Sequence, residues 1–158
     1  MFRFINTDVW VGSQVKRFKI VDHPGAAAIW AVDNGRLLLV EQYRPAAHRY
    51  TLEIPAGTIE FGEEPLDTAR REFEEETGYK ADEYQSMGHI YPSPGYTTEV
   101  LHLFTAQGLK EGVQHLEEGE DLTVRWIALE DVRTMVKSGE INDAKTLVAY
   151  YKYMEAQG

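Results

Sequence analysis

Two apolar runs flank Asn34-Gly35 in the stretch GAAAIWAVDNGRLLLVEQYR. Asn-Gly is the strongest short-range signal for a two-residue hairpin turn, because both central residues of that turn take positive φ. No other stretch ties two strands together so directly, and Pro45 is expected to end the second of them. Upstream, VWVGSQVKRFKIVD reads as a further hairpin or as short strands, with Val15, Phe18 and Ile20 among its apolar positions. Downstream, YTLEIPAGTIE reads as a strand running into a loop, followed by a helix from Pro65 to Thr77 that Gly78 stops. YQSMGHIYPSPGYTTEVLHLFTAQGL suggests a strand, a Pro/Gly loop and a strand, and EDLTVRWIAL a last strand. Two helices follow, LEDVRTMVKSG and one starting near Asp143 with Leu147, Val148, Tyr151 and Met154 on one face. Strands and helices mix without strict alternation, which points to an α/β chain with a mixed sheet packed between helices.

At 158 residues, 43% hydrophobic and 27% charged, the chain reads as one globular domain, 1–158, with a real core. A formal charge of -10 argues against sequence-independent binding to nucleic acid or to an anionic membrane. It leaves phosphorylated ligands open, since a divalent cation can mediate between carboxylates and phosphates. There is no cysteine, hence no disulfide framework and no thiolate metal site. MFRFINTDVWVG lacks the apolar core and cleavage site of a secretory signal, and the longest apolar run is far short of a membrane span. These features suit a soluble cytoplasmic protein.

The expected helix carries a puzzle at its end. Glu72, Glu74, Glu75 and Glu76 crowd its last turns, where the macrodipole is negative and each carboxylate costs about 0.3–1 kcal/mol. On a 3.6-residue wheel, Leu66, Ala69 and Phe73 form the stripe that should dock on the sheet. Glu72, Glu75 and Glu76 fall beside that stripe, while Glu74 lies on the outer face and Arg71 stands one turn before Glu75. Most glutamate clusters on helices are simply solvated faces. Here, position against the dipole and beside the buried stripe favours hard oxygen ligands for Mg²⁺ or Mn²⁺.

GTIEFGEEPLDTARREFEEETGY, residues 57–79, resembles the Nudix box, the signature Gly-x5-Glu-x7-Arg-Glu-U-x-Glu-Glu-x-Gly-U with U a bulky apolar residue. Gly57, Glu63, Arg71, Glu72, Glu75, Glu76 and Gly78 occupy its fixed positions, and Phe73 and Tyr79 stand where an aliphatic residue is more usual. The resemblance implies an α/β/α sandwich with a mixed sheet, and metal-dependent hydrolysis of a nucleoside diphosphate linked to another group. It implies Glu72 and Glu76 as metal ligands, Glu75 next after them as a ligand or catalytic carboxylate, and Arg71 and Glu63 orienting them.

EQYRPAAHRYTLEIPAG and SPGYTTE, with Pro94 fifteen residues past Tyr79, resemble the branch that cleaves ADP-ribose and nucleoside-diphosphate sugars. That branch implies the carbonyl of Ala56 as a further metal ligand. It implies that the acidic loop EEGED supplies Glu118 as general base, with Glu117 as rival, and Glu120 as ligand. Arg44 is expected on a phosphate or the base, and Glu53 and Glu99 near the ribose or metals. Trp30 and Tyr43 are candidates to stack on adenine, although Trp30, inside an apolar strand, suits the core better, and the five histidines read as structural or surface residues. The branch also implies a homodimer with a shared pocket, to which the N-terminal strands in 1–24, with Phe2, Phe4 and Trp10, would contribute. The activity implied is Mg²⁺-dependent cleavage of ADP-ribose to AMP and ribose 5-phosphate. The alternatives are a nucleotide-sugar pyrophosphatase, for GDP-mannose or ADP-glucose, and a non-catalytic nucleotide sensor.

Overall fold

The computed structural model describes residues 3–116 and 121–158. Along the chain run β1 (Arg3–Val11), β2 (Gln14–Asp22), β3 (Ala26–Asp33), β4 (Arg36–Arg44) and a 3-10 turn (Pro45–Ala47). Then come β5 (Arg49–Glu53), β6 (Ala56–Thr58), α1 (Pro65–Thr77), β7 (Tyr79–Ile90), β8 (Leu101–Glu111), β9 (Leu122–Ala128), α2 (Leu129–Ser138) and α3 (Ala144–Ala156). Asn34 and Gly35 turn the chain between β3 and β4 with φ of 48° and 73°, the paired positive values the turn requires.

The hairpin is shorter than its sequence suggests. β3 and β4 pair only at Val32–Leu37 and Asp33–Arg36, and then part. β3 runs parallel to β8 from Ala26–Leu101 to Ala31–Ala106 and takes β6 on its other edge. β4 pairs antiparallel with β5 and β9. The seven-stranded sheet thus has two wings, β6-β3-β8-β7 and β5-β4-β9, joined at the turn. With β3–β8 parallel and the other pairs antiparallel, the sheet is mixed.

Both faces of β3 are buried, which explains a run of apolar residues without alternation. Ala27, Ile29 and Ala31 pack with Leu38, Ala69 and Phe73 under α1. Ala26, Ala28 and Trp30 pack with Leu39, Val132 and Ala149 under α2 and α3. The layers are therefore helix, sheet, helices, as an α/β/α sandwich. Trp30 is 1% exposed, its ring 5.4 Å from Tyr153 and 6.2 Å from Tyr150, so it belongs to the core.

Pro65 opens α1 in the first-turn position where its missing N–H costs nothing, and Gly78 closes it at φ 73° with its N–H on the Glu74 carbonyl. Asp143 caps α3, its Oδ2 accepting the Thr146 N–H at 3.0 Å. β1 and β2 pair along their whole length as a separate two-stranded sheet. This arm is tied to the rest by Val21, whose N–H donates to the Tyr96 carbonyl at 2.7 Å and whose carbonyl accepts the Thr98 N–H at 3.0 Å. Phe4 (82% exposed) and Trp10 (72%) stand in solvent on it, not in the core. Among the described residues no helix is long and apolar enough to cross a membrane.

Candidate metal and phosphate site

The helical spacing places Arg71 among three carboxylates. Its Nε donates to Glu63 Oε1 at 2.8 Å and its Nη2 to Glu63 Oε2 at 3.0 Å. Its Nη1 donates to Glu72 Oε1 at 2.7 Å and to Glu75 Oε2 at 3.0 Å. Glu63 also accepts the Thr68 hydroxyl at 2.7 Å and the Glu60 N–H at 3.1 Å. Hydrogen bonds from Arg71 first, and then Thr68, hold the Glu63 carboxyl down at about 2, and the bond to Glu63 leads those that push the Arg71 pKa up. Arg71 offsets part of the repulsion within the cluster. Lys80 pairs with the outward Glu74 at 2.9 Å.

Two glutamates reach past Arg71 to the backbone of β6. The Glu72 carboxylate fills the space beside Gly57, so close that a Cβ there would lie 1.9 Å from Glu72 Cδ. Gly57 is needed for this approach, not for positive φ. Glu76 is 5% exposed, and its Oε2 accepts the Ala56 N–H at 3.0 Å. Ala56, Glu72 and Glu76 thus meet on the wall of a cleft of about 950 Å³, which Glu63, Arg71 and Arg44 also line. Gln42 and Arg44 at the end of β4 and Ala56, Gly57 and Thr58 of β6 all line this cleft. Among the described residues, no three carboxylates or imidazoles converge closely enough to hold a metal by themselves. The donors that do converge, two carboxylates beside the β6 backbone, are hard oxygens of the kind Mg²⁺ and Mn²⁺ prefer.

The other expected residues divide. Glu75 joins the cluster through Arg71 but is not on the cleft wall. Glu53 is 3% exposed and gives both oxygens to Arg44, at 2.7 and 2.6 Å, so it lies behind Arg44 and not in the cleft. Burial pushes its carboxyl up, but the bond from Arg44 and the charge of Lys145 outweigh this and hold it at about 2. Glu99 is also away from the cleft wall, its N–H on Thr97 Oγ1 at 3.2 Å, in a segment that Thr98 ties to Val21 and His23. Tyr43 faces away from its neighbour Arg44 and stacks edge-on with Tyr50 at 5.3 Å. Glu117, Glu118 and Glu120 lie outside the described residues, as does Phe2.

Two features had no local signature. Lys145, 92 positions from Glu53 in sequence, donates to Glu53 Oε2. The chain after β8 also caps α1: His115 N–H donates to the Glu75 carbonyl at 2.9 Å, Gln114 Nε2 to the Glu76 carbonyl at 2.6 Å, and Gly112 N–H to the Gly78 carbonyl at 2.6 Å. These donors occupy the negative end of the helix dipole, which eases the presence of glutamates there. A small residue that must stay small, such as Gly78 with Gln114 N 2.9 Å from its ideal Cβ, is the only sequence trace of this strap.

A family model described as NUDIX domain matches residues 22–150. An ADP-ribose pyrophosphatase of Bacillus subtilis (strain 168) is 45% identical over 150 residues, 92% of this chain and 80% of that protein. A methanol dehydrogenase activator of Bacillus methanolicus is 39% identical over 147 residues, 91% and 79% of the two chains. A solved structure titled as an ADP compounds hydrolase superposes with a TM-score of 0.84 over 100% of this chain and 89% of its own, at 20% identity, a likeness of fold.

Proposed function

The chain belongs to the Nudix family, and from that premise we propose that it is a pyrophosphohydrolase that cleaves ADP-ribose to AMP and ribose 5-phosphate with the help of Mg²⁺ or Mn²⁺. The observation that carries this reading is the meeting of Glu72 and Glu76 with the Ala56–Gly57 backbone, in a cleft that also presents Arg44. Glu72, Glu76 and the Ala56 carbonyl would hold the cation, joined by Glu120. When bound, the cation neutralises pyrophosphate charge and lowers the pKa of water. Arg71 bridges Glu72 and Glu75 and, held on its other edge by Glu63, orients their carboxylates. Arg44 spends its Nε–H and one Nη2–H on Glu53, so three N–H groups remain for phosphate oxygens. Water adds to one phosphorus as the bridging P–O bond breaks, and Glu118 takes the proton.

A second copy of this chain is the partner that the β1–β2 arm fits. A lone two-stranded hairpin is marginal in water, and this one exposes Phe4, Trp10, Val15 and Phe18. Light scattering after size exclusion should give a dimer, and Phe4→Ser with Trp10→Ser should weaken it. A wild-type monomer at micromolar concentration would sink this part. A cytoplasmic setting suits a chain without cysteine.

The activity is tested by offering ADP-ribose, GDP-mannose, ADP-glucose and a nucleoside triphosphate separately, with Mg²⁺ or EDTA, alongside Glu76→Gln. AMP and ribose 5-phosphate from ADP-ribose, abolished by EDTA, is the expected result. Faster cleavage of a nucleotide sugar would move the substrate, and binding without cleavage would make the protein a sensor.

A further inference from the structure

The Glu53 carboxylate at the end of β5 is 3% exposed and held from three sides. Arg44 takes both oxygens, the Thr51 hydroxyl donates to Oε1 at 2.6 Å, and Lys145 donates to Oε2. The Lys145 side chain is 11% exposed and also pairs with Asp143 at 3.2 Å. Asp143 Oδ2 accepts the Thr146 hydroxyl at 2.7 Å, and that hydroxyl oxygen accepts the Ile54 N–H at 2.9 Å. The first turn of α3 is thereby stitched to residues 53 and 54, directly behind Arg44.

A buried carboxylate with a single cationic partner draws that partner in and cancels its field. Here a second cation shares the charge. Glu53 needs only one edge of the Arg44 guanidinium, and the side chain of Arg44 stays 43% exposed on the cleft wall. Glu53 and Lys145 are not on that wall; with Arg44 they line a separate hollow of about 410 Å³ beside the first turn of α3.

We propose that Lys145 is a positioning residue for substrate binding: from α3 it anchors Glu53, and Glu53 holds the Arg44 guanidinium at the angle that presents its free N–H groups to a substrate phosphate. This rests on the reading of Arg44 as a phosphate-binding residue. It also makes Glu53 a support of the site instead of a contact to ribose or metal.

A double-mutant cycle between Lys145 and Arg44 tests the chain of contacts. Arg44→Ala should raise the KM for ADP-ribose about 10- to 100-fold, the worth of a charged hydrogen bond. Lys145→Met should raise it about tenfold with kcat within about threefold, and should add less than about twofold once Arg44 is already alanine. Lys145→Arg should recover most of the lost affinity. Should Lys145→Met fail to fold, Glu53→Gln combined with Lys145→Met leaves no bare buried charge and should raise KM in the same way. Calorimetric binding of ADP-ribose in EDTA repeats the cycle without turnover, so it applies equally to a protein that binds and does not cleave. An unchanged KM in the charge-free double variant, or in Lys145→Met while Arg44→Ala raises it, overturns the proposal and leaves the Arg44 reading standing. An equal rise from Lys145→Met with and without Arg44 marks a merely structural salt bridge and also overturns it. No effect of Arg44→Ala removes both, and a wild-type protein that neither binds nor cleaves ADP-ribose removes the functional reading beneath them.

Discussion

A Cβ added to Gly57 would lie 1.9 Å from Glu72 Cδ and 2.0 and 2.3 Å from its two oxygens. Real Cβ contacts essentially never fall under 3.0 Å, so in Gly57→Ala the carboxylate has to retreat by at least 1.1 Å. Gly57 does not use positive φ, so alanine meets no backbone strain there. The obstructing group is the end of a side chain and not backbone, so it can swing aside, giving up its partly exposed bond from Arg71, without moving the sheet. Its cost to function is different in kind. Metal ligands hold their distances within about 0.2 Å, and a misplacement of 1 Å near the chemistry can cost about 10²-fold in rate. Gly57→Ala should therefore keep its melting temperature within about 3 °C, the equivalent of less than 1 kcal/mol for a chain of this size. It should lose about 100-fold or more in kcat/KM and need more Mg²⁺ for half-activation. Gly35→Ala is the matched control. Nothing lies within 4 Å of its Cβ position, but its φ is 73°, so it should lose about 1 kcal/mol of stability and no activity. Rate and Mg²⁺ titrations beside thermal melts decide the matter. A Gly57→Ala protein with wild-type rate and wild-type Mg²⁺ response would refute the role of Glu72 at this backbone.

Glu76→Gln should weaken Mn²⁺ binding in calorimetry and remove most activity, while its remaining oxygen still accepts the Ala56 N–H. Glu63 is held at about 2 against an ordinary 4.5, so the stability it contributes is complete above pH 4.5 and is lost as pH falls toward 2. In EDTA, Glu63→Gln should melt below wild type at pH 6, with the gap closing between pH 4.5 and 2, and a gap constant over that window would count against the ion pair. Phe73 is 0% exposed between α1 and the sheet, and Phe73→Ala should cost about 3–5 kcal/mol in urea denaturation.

The helix bearing the glutamates was legible to the residue because its stops are local: Pro65 opens it, Gly78 ends it, and three-to-four spacing aims Ala69 and Phe73 at the sheet. The Asn34-Gly35 turn was equally plain. That β3 and β4 separate after two pairs was not, because the partners that draw them apart, β8, β9 and β6, come later in the chain. The same holds within the site. Each of its three carboxylates lies within eight positions of Arg71, and α1 itself carries two of them, Glu72 and Glu75. Glu53 was expected among the substrate contacts, yet its surroundings are set by Lys145, far along the chain, and only packing of α3 places that ammonium behind β5. Gln114 and His115 carry no motif because what they satisfy is backbone, which any sequence possesses.

The early parting of β3 and β4 has a consequence for how this scaffold can change. The carboxylates sit on α1 and meet a backbone edge belonging to the β3 wing, whereas Arg44 and its supports belong to the other wing and to α3. One cleft is thus assembled from two inheritable modules that share few side chains. Under the roles proposed above, substitutions around Arg44 would change which phosphorylated group is held and leave the α1 carboxylates untouched, and drift among those carboxylates would leave Arg44 in place. A chain built this way can change what it binds without first losing the capacity to cut.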